Sequence, residues 1–327
     1  MFTIMRKLMC VISAVALSLS GIRAQEFMTL NPDVRTAGMA NASAAMSGGA
    51  FSVYGNAAAA LFDYKRVQFG FSYSPVNSGD AQGDYYAVGG YYSLNEKHTL
   101  ALGMRIHNSP LTTVGMISSN PVGTPDLSGG DVQTSYTVRP LGVSVDAAYA
   151  LMVHEYAGLS LTAKYMHQST AFRQNYSAMS FDLAAYVQIP LDRMLDGAWI
   201  AAGAKVADAG FAFGDKGCRL PLRADIGATL YAPFGDSHEV SGTVDFGYGR
   251  ISDDRKSFGM AVGAEYTFMQ LLSVRAGYHA ADKCGFDYGS IGAGIRFMIL
   301  QADFAYMIAR KDSPFRNMYG ISVGINF

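Results

Sequence analysis

Alternating apolar and polar residues mark the last seventy residues of the chain, 258–327. Four segments there repeat an apolar residue at every second position, and two of the connections, 269–270 and 298–299, are only two residues long. A period of two predicts β-strands. The apolar positions are Met260, Val262, Ala264, Tyr266 and Phe268, then Leu272, Val274, Ala276 and Tyr278, then Ile291, Ala293, Ile295 and Phe297, then Leu300, Ala302, Phe304, Tyr306 and Ile308.

The opposite face of these strands carries charges, at Glu265, Arg275, Arg296 and Asp303. A soluble β-sandwich would not place an apolar face opposite such charges with turns this short. A barrel that crosses a membrane explains both faces, because its strands turn apolar residues to lipid and polar residues to the lumen. The sequence therefore predicts an all-β, transmembrane antiparallel β-barrel, and its final strand, ending on Phe327, is similar to the C-terminal signature of bacterial outer-membrane barrels.

Upstream of this region the alternating pattern recurs at short spacing, which is typical of an antiparallel meander. Together with the four segments above and a last strand at 318–327, the count is fourteen. Alternate connections are short, as expected when both chain ends lie in the periplasm. The longest connection, 109–140, contains four prolines and is predicted to be a loop on the outer side. The upstream strands are predicted at 64–75, 83–94, 98–108, 141–152, 157–168, 177–190, 197–208, 220–232 and 236–248.

Alternation also assigns charged residues to the lumen of the predicted barrel. Two directly opposed ion pairs are predicted from the turn positions, Glu265 with Arg275 and Arg296 with Asp303. Six acidic and six basic lumenal residues provide no ring of one sign, which favours a filled lumen over an ion-selective pore. The other lumenal charges are Arg105, Asp146, Lys164, Asp182, Lys205, Arg223, Asp225 and Asp245.

The N-terminal part of the chain lacks the alternating pattern. Residues 1–24 have Arg6 and Lys7, an apolar run and small residues up to Ala24, which is the layout of a cleaved secretory signal peptide. Residues 25–63 are rich in Ala, Gly, Ser and Asn, and we predict that they fill the barrel as a hatch or plug. The alternative is a disordered periplasmic leader. The barrel itself is assigned to 64–327.

Composition excludes several functions. Loss of the leader removes three basic residues, so the formal net charge moves from −1 to −4 and no basic surface for nucleic acid remains. The six histidines are scattered without metal-site spacing, and no cofactor motif is present. The G-x-S-x-G string at 320–324 lies in a predicted strand rather than at the strand-to-helix turn of a hydrolase. The sequence therefore predicts a non-enzymatic protein without a cofactor.

Two cysteines, Cys218 and Cys284, remain after leader removal. The fourteen-strand topology places both on the outer side, and an even pair on an oxidising export route favours a disulfide. Their strands are not adjacent, so a bond requires both loops to lean over the barrel mouth. Two independent thiols are the alternative.

Several short strings resemble the PorV/PorQ group of outer-membrane proteins within the wider FadL-like barrel superfamily. They are VGAEY at 262–266, VRAGY at 274–278, GAGIR at 292–296, DFAY at 303–306 and VDAAYA at 145–150. In the hatch, Asp33, Arg35 and Gly38 resemble the group's opening. Asn56 begins a string that stands where FadL-like proteins have Asn-Pro-Ala, with Ala57 in place of the proline.

The resemblance implies a fourteen-stranded barrel with an N-terminal hatch in a bacterial outer membrane, surrounded by lipid. For a PorV/PorQ-type member it further implies an accessory role in type IX protein secretion, with secreted or surface proteins and secretion-machinery components as partners. The alternative is a FadL-like channel for hydrophobic small molecules such as long-chain fatty acids, with the loop 109–140 as an outer binding groove.

Overall fold

The computed structural model describes residues 30–78, 81–118, 132–169, 175–214, 220–252, 255–282, 285–311, 313 and 315–327. The predicted leader, the first residues of the predicted hatch, and both Cys218 and Cys284 lie outside these ranges. The signal peptide and the disulfide therefore stay predictions.

Fourteen antiparallel strands form a closed barrel, which confirms the predicted fold class and strand count. Consecutive barrel strands are hydrogen-bonded neighbours, and the last strand pairs with the first from Gln68 opposite Asn326 to Tyr73 opposite Ile321. The described strands are β1 (Val67–Ser78), β2 (Ala81–Asn95), β3 (His98–Asn108), β4 (Thr112–Ser118), β5 (Val132–Val138), β6 (Leu141–His154), β7 (Ala157–Ser169), β8 (Asn175–Pro190), β9 (Trp199–Gly214), β10 (Arg223–Phe234), β11 (His238–Ser252), β12 (Arg255–Phe268), β13 (Leu272–Ala281), β14 (Tyr288–Phe297), β15 (Leu300–Ala309) and β16 (Tyr319–Asn326).

The wall follows the alternation that the sequence predicts. In β3, for example, Leu100, Leu102 and Met104 are exposed on the outside, whereas Ala101 and Arg105 are buried inside. This arrangement gives the barrel an apolar exterior. Among the described residues, no helix combines the length and the apolar character that a membrane-crossing helix needs. We call the end of the barrel with the short turns its inner end and the end with the longer connections its outer end.

The connection 109–140 is not the strandless loop that the sequence predicts. It contains β4 and β5, which form a separate two-stranded sheet above the outer end. Of the four prolines that suggested a loop, Pro110 and Pro140 flank these two strands, and the other two lie outside the described residues. The predicted connection 249–256 was also too long, because β11 and β12 continue as a paired ladder through Arg250 and Lys256. Polar residues beyond the apolar band carry no alternating signal, so the sequence did not show these extensions.

Strand β9 continues six residues past its predicted end at Asp208 and reaches Gly214. The register with β8 shifts between Phe181 and Leu183, so Asp182 faces two residues of β9, Ala207 and Asp208. Asp208 has a φ of 61°. Such a β-bulge puts two consecutive residues on one face, and both Ala207 and Asp208 are buried. The alternation therefore changes phase here, which is why the pattern indicated a strand end.

Residues 30–63 contain two short helical elements, α1 (Val34–Ala37) and a 3₁₀ helix (Ala57–Phe62). Each begins at a side-chain cap. Asp33 accepts a hydrogen bond from the N–H of Arg35, and Asn56 accepts one from the N–H of Ala58. Asx caps of this kind satisfy N–H groups that a helix start leaves free. Most side chains of the segment are buried against inward-facing residues of the barrel wall.

Candidate functional site in the barrel lumen

Close backbone packing joins the segment 38–54 to the barrel wall. A Cβ atom added to Gly203 would overlap the carbonyl oxygen of Ala44, and one added to Gly89 would lie 2.6 Å from the carbonyl oxygen of Ala50. Glycine is thus required at these positions by the close approach of two backbones. The wall glycines in contact with the segment are Gly70, Gly89, Gly103, Gly203, Gly263, Gly277 and Gly292.

The first charged network connects α1 to the wall on β12, β13 and β15. Arg35 makes two contacts with Glu265, Nη2 to Oε1 at 2.7 Å and Nε to Oε2 at 3.1 Å. Glu265 also pairs with Arg275, which stands directly opposite it in the register of β12 and β13. Arg275 Nη1 in turn lies 2.7 Å from Asp303 Oδ1. A bidentate guanidinium–carboxylate contact adds geometric specificity, so this network fixes the position of α1.

The predicted ion pair between Arg296 and Asp303 is wrong. Arg296 stands opposite Gln301, and Asp303 stands opposite Gly294. The turn consists of residues 298 and 299, where the sequence placed it, but direct pairing of Arg296 with Asp303 requires a turn centred between residues 299 and 300, so the predicted partner was wrong by two positions. Asp303 therefore pairs with Arg275 on the next strand but one, whereas Arg296 Nη2 donates a 3.4 Å hydrogen bond to Gln301.

A second charged network lies across the lumen on β3 and β6–β9. Lys164 Nζ lies 2.7 Å from Asp182 and 2.9 Å from Asp208, and Lys205 Nζ lies 3.0 Å from Asp182. Nearby, Arg105 Nη2 lies 2.7 Å from Asp146 Oδ2. All these side chains are buried. Sequence alternation located each of them except Asp208, which it assigned to the last position of the strand and not to the lumen.

Several wall side chains bind the backbone of the interior segment, among them Lys205, Asp245 and Ser290. Lys205 donates to the carbonyl oxygens of Tyr54 and Gly55 at 2.8 and 2.6 Å. Asp245 Oδ2 accepts hydrogen bonds from the N–H groups of Ser43 and Ala44 at 2.6 and 2.7 Å. Ser290 Oγ accepts one from the N–H of Ala40 at 2.8 Å. The segment is thus held at both ends of its path, and its buried backbone groups obtain partners that the sheet cannot provide.

The four predicted hatch residues contribute in different ways. Asp33 caps α1, Arg35 binds Glu265, and Gly38 packs against Gly292, where a Cβ would lie 3.2 Å from the Gly292 Cα. Asn56 donates hydrogen bonds to the carbonyl oxygens of Ala44 and Ala185, both at 2.9 Å. The remaining predicted lumenal charges, Arg223 and Asp225, are half-buried, and Arg223 Nε lies 2.8 Å from Asp225 Oδ2.

Burial changes the acid–base properties of the interior segment. It raises the pKa of the Asp33 carboxyl, although the Arg35 cation opposes this effect, and it raises the pKa of the Asp63 carboxyl. Burial lowers the pKa of Arg35, but the Glu265 carboxylate outweighs it and the net pKa lies above the ordinary value. Arg35 is therefore a permanent cation in this site.

The lumen has two zones with different chemistry on either side of these contacts. The outer zone contains a packed cluster of buried apolar side chains from strands around the barrel, and buried polar residues lie beside this cluster, since Arg105 and Ser144 share a row of the sheet with Met166. The inner zone contains a cavity of about 520 Å³ lined by charged, hydroxyl and amide groups, by Trp199 stacked on Tyr231, and by apolar side chains such as Phe51 and Phe62. In the described residues no group of three His, Cys, Asp or Glu side chains could hold a metal ion. The outer zone includes Val76, Tyr85, Met166, Leu220, Tyr288, Met307 and Met318 from the wall and connections, with Val34, Ala37, Ala40 and Ala42 from the segment.

No protein-family model matches the chain, and no curated protein matches it. Several solved structures, in contrast, match the chain over most of its length. A FadL homologue of Pseudomonas aeruginosa is 12% identical with a TM-score of 0.55, over 94% of this chain and 100% of that one. The toluene transporter TodX of Pseudomonas putida is 11% identical with a TM-score of 0.51, over 89% and 95%. The monoaromatic hydrocarbon channel CymD is 11% identical with a TM-score of 0.56, over 91% and 97%.

These similarities show the fold, a fourteen-strand barrel like those of FadL-like outer-membrane proteins. They do not support the finer resemblance to the PorV/PorQ group, nor the secretion-machinery partners that it implied. The names of TodX and CymD describe a transporter and a channel and not an enzyme.

Proposed function

We propose that the protein is a bacterial outer-membrane channel for hydrophobic small molecules. The apolar outer zone of the lumen carries this proposal. A lumen that conducts water and ions is polar, whereas here Val76, Tyr85, Met166 and Met307 project inward from strands on several sides of the barrel. Three buried methionines suit a site that must adapt, because the methionine side chain is flexible and polarisable. The solved structures named as toluene and monoaromatic hydrocarbon channels share the fold.

Residues 30–63 act in this proposal as a hatch. They separate the apolar outer zone from the polar inner cavity, and every charged group that holds them is paired or hydrogen-bonded. A hydrophobic molecule from outside would first enter the outer zone by displacing apolar side chains. Hydrated ions would meet a packed apolar layer instead, in which they lose their hydration without compensation.

Uptake into cells that lack their own hydrophobic-compound channels tests the proposal. Cells that produce the protein should accumulate the hydrophobic dye N-phenylnaphthylamine faster than cells with an empty vector, while uptake of a disaccharide stays unchanged. Met166→Gln and Met307→Gln place polar groups in the outer zone and should slow dye uptake. Ser241→Ala in the inner cavity is the matched control. Equal dye uptake with and without the protein would overturn the proposal.

A further inference from the structure

Arg296 on β14 is an inward-facing cation that has no carboxylate partner among the described residues. Its Nη2 donates a 3.4 Å hydrogen bond to Gln301, and its buried Nε atom has no hydrogen-bond partner. The other five inward-facing cations of the described wall each lie 2.7 to 3.0 Å from a carboxylate oxygen, namely Arg105, Lys164, Lys205, Arg223 and Arg275. A buried charged donor without an acceptor carries the cost of its lost hydration. The exception at Arg296 therefore indicates a site for an anion.

Three amide side chains from the next three strands surround Arg296 in the inner cavity. Gln301 on β15 stands directly opposite Arg296, and Asn326 on β16 stands opposite Gln68 on β1. All four side chains line the cavity. Gly324, which stands opposite Gln301, leaves space in front of them, because a Cβ added there would meet only backbone atoms of β1, at 3.2 and 3.8 Å. We call Arg296, the three amides and the space at Gly324 the arginine–amide pocket.

Two donors of this pocket converge on one uncharged oxygen. Gln301 Oε1 accepts from Arg296 Nη2 at 3.4 Å and from Asn326 Nδ2 at 3.2 Å. Both distances exceed the 2.9 to 3.0 Å that is commonest for N–H···O bonds, roughly stated. The amide of Gln301 cannot approach them freely, since its Nε2 donates to Asp303 Oδ2 at 2.8 Å. A carboxylate oxygen would be the better acceptor for these donors, because bonds from a guanidinium to a carboxylate are shorter and stronger.

The carboxylates that line the cavity have other partners or lie elsewhere. Glu265 and Asp303 both pair with Arg275. Asp63 accepts a hydrogen bond from Gln68 Nε2 at 2.7 Å. None of the cavity carboxylates in the described residues forms an ion pair with Arg296. The two others are Asp33, which caps α1, and Glu239, which lies on β11, three strands from β14.

The cavity is accessible from the inner end of the barrel. Tyr64, which is 80% exposed, and Gln270, in the turn between β12 and β13, both line it. The interior segment lines its other side, where Phe51 and Phe62 offer contacts for an uncharged part of a ligand. Its volume of about 520 Å³ lies in the range of small-molecule sites. A compact molecule can therefore reach Arg296 without passing the outer zone.

We propose that the arginine–amide pocket binds a small organic carboxylate, whose oxygens accept hydrogen bonds from Arg296 and Asn326. One guanidinium among neutral amides matches a single negative charge. Phosphate carries more than one negative charge at neutral pH, and the excess would be repelled by Asp63 and Asp303. The inference does not rest on the proposed function, because the ligand enters from the inner end and no uptake through the outer zone is involved.

Isothermal titration calorimetry of the purified protein in detergent tests the pocket, with benzoate as the probe and titrations into protein-free micelles as blanks. Benzamide has nearly the shape of benzoate without its charge. We expect saturable binding of benzoate, and binding of benzamide that is weaker by at least about tenfold, since a hydrogen bond to a charged group contributes that much or more.

Substitutions at Arg296 locate the bound probe. Arg296→Gln should weaken benzoate binding by at least about tenfold, for the same reason. Arg296→Lys keeps the charge but loses the planar fork of donors, so its affinity should lie between those of the wild type and Arg296→Gln. Arg193→Gln, in the turn between β8 and β9, removes an exposed charge at the same end of the barrel and should leave the affinity unchanged. The heat-modifiable band on electrophoresis shows that each variant is folded.

Absence of saturable benzoate binding to the wild type would overturn the proposal. Unchanged affinity in both Arg296 variants would overturn it too, because the probe would then bind elsewhere in the protein. Benzamide that binds as tightly as benzoate would exclude recognition of the charge. Inorganic phosphate that binds more tightly than benzoate would exclude the assignment to a carboxylate. None of these results depends on whether cells that produce the protein take up the hydrophobic dye, so the two proposals fail separately.

Discussion

The wall of this barrel leaves room for only a hydrogen atom where Gly203 meets the carbonyl oxygen of Ala44. Contacts of this kind recur at glycines on several strands, so at these points the interior segment packs directly on the backbone of the wall. Protein interiors are packed closely enough that one additional methyl group at such a point requires a rearrangement. The position of the interior segment therefore depends on wall residues that have no side chain.

Gly203→Val should lower the unfolding temperature because its side chain would overlap the backbone at Ala44. Overpacking of this kind typically costs about 1–3 kcal/mol. Gly242→Val is the matched control, since no atom lies within 4 Å of a Cβ at that position. Loss of the compact, heat-modifiable band on electrophoresis measures unfolding of each variant. Equal unfolding temperatures for the two variants would contradict the packing described here.

At the scale of single elements, the bulge in β9 links backbone geometry to the charged network. Asp208 sits at positive φ, donates its N–H to Asp182 Oδ1 at 2.9 Å and accepts from Lys164 at 2.9 Å. Asp and Asn tolerate this conformation better than most residues. The strand can therefore change phase and direct a second carboxylate into the lumen at the same residue.

Asp208→Ala should destabilise the barrel, because Lys164 loses one buried partner and the backbone loses a residue suited to positive φ. Breaking a buried ion pair costs ~3–5 kcal/mol. Since Asp182 still pairs with Lys164, we expect Asp208→Ala to lower the free energy of unfolding by an amount near or below the lower limit of this range. Asp208→Asn keeps the conformational tolerance and should lose less. Urea unfolding in detergent measures the stability of each variant. Asp225→Ala, at a half-exposed ion pair, is the control. A loss at Asp225→Ala as large as that at Asp208→Ala would argue against the role of the bulge.

The sequence predicts some elements correctly and misses others, for physical reasons. Alternation locates the fourteen barrel strands, because lipid and lumen impose opposite demands on neighbouring residues. It loses β4 and β5, which stand beyond the outer end of the barrel, and the end of β9, where the bulge changes the phase. It also misplaces the register at Arg296, since a shift of two residues keeps every side chain on its correct face.

The contacts within the lumen are less accessible to sequence reasoning. Glu265 and Arg275 are neighbours across one short turn, so their positions in the chain suggest their pairing. Arg35 reaches Glu265 from a position 230 residues away, and no local pattern encodes such a contact. The abundance of glycine was a usable signal, but its meaning depends on which glycines face inward and meet the interior segment.

At the scale of the whole molecule, the barrel and the segment 30–63 form one packed unit. The segment is held by side chains from several strands of the wall, including Glu265 on β12 and Lys205 on β9. It lies between the apolar cluster of the outer zone and the cavity of the inner zone. Its removal would expose both zones to each other and leave the lumen with a continuous path for water.

Deletion of residues 25–63 should increase the conductance of the protein in planar bilayers. The physical reason is that a fourteen-strand barrel is wider than the eight-strand barrels whose side chains alone fill the interior. Retention of the heat-modifiable band would show that the shortened barrel still folds. Equal conductance with and without these residues would show that the segment does not close the lumen.

The glycine seat also imposes an order on assembly. Gly70, Gly89 and Gly103 belong to the first three strands, whereas Gly263, Gly277 and Gly292 belong to strands near the other end of the chain. The segment precedes all of these strands in the chain. It cannot contact all of these glycines until the last strands have formed and β16 has paired with β1. During biogenesis, joining the two ends of the barrel wall and filling the lumen with this segment are therefore a single event.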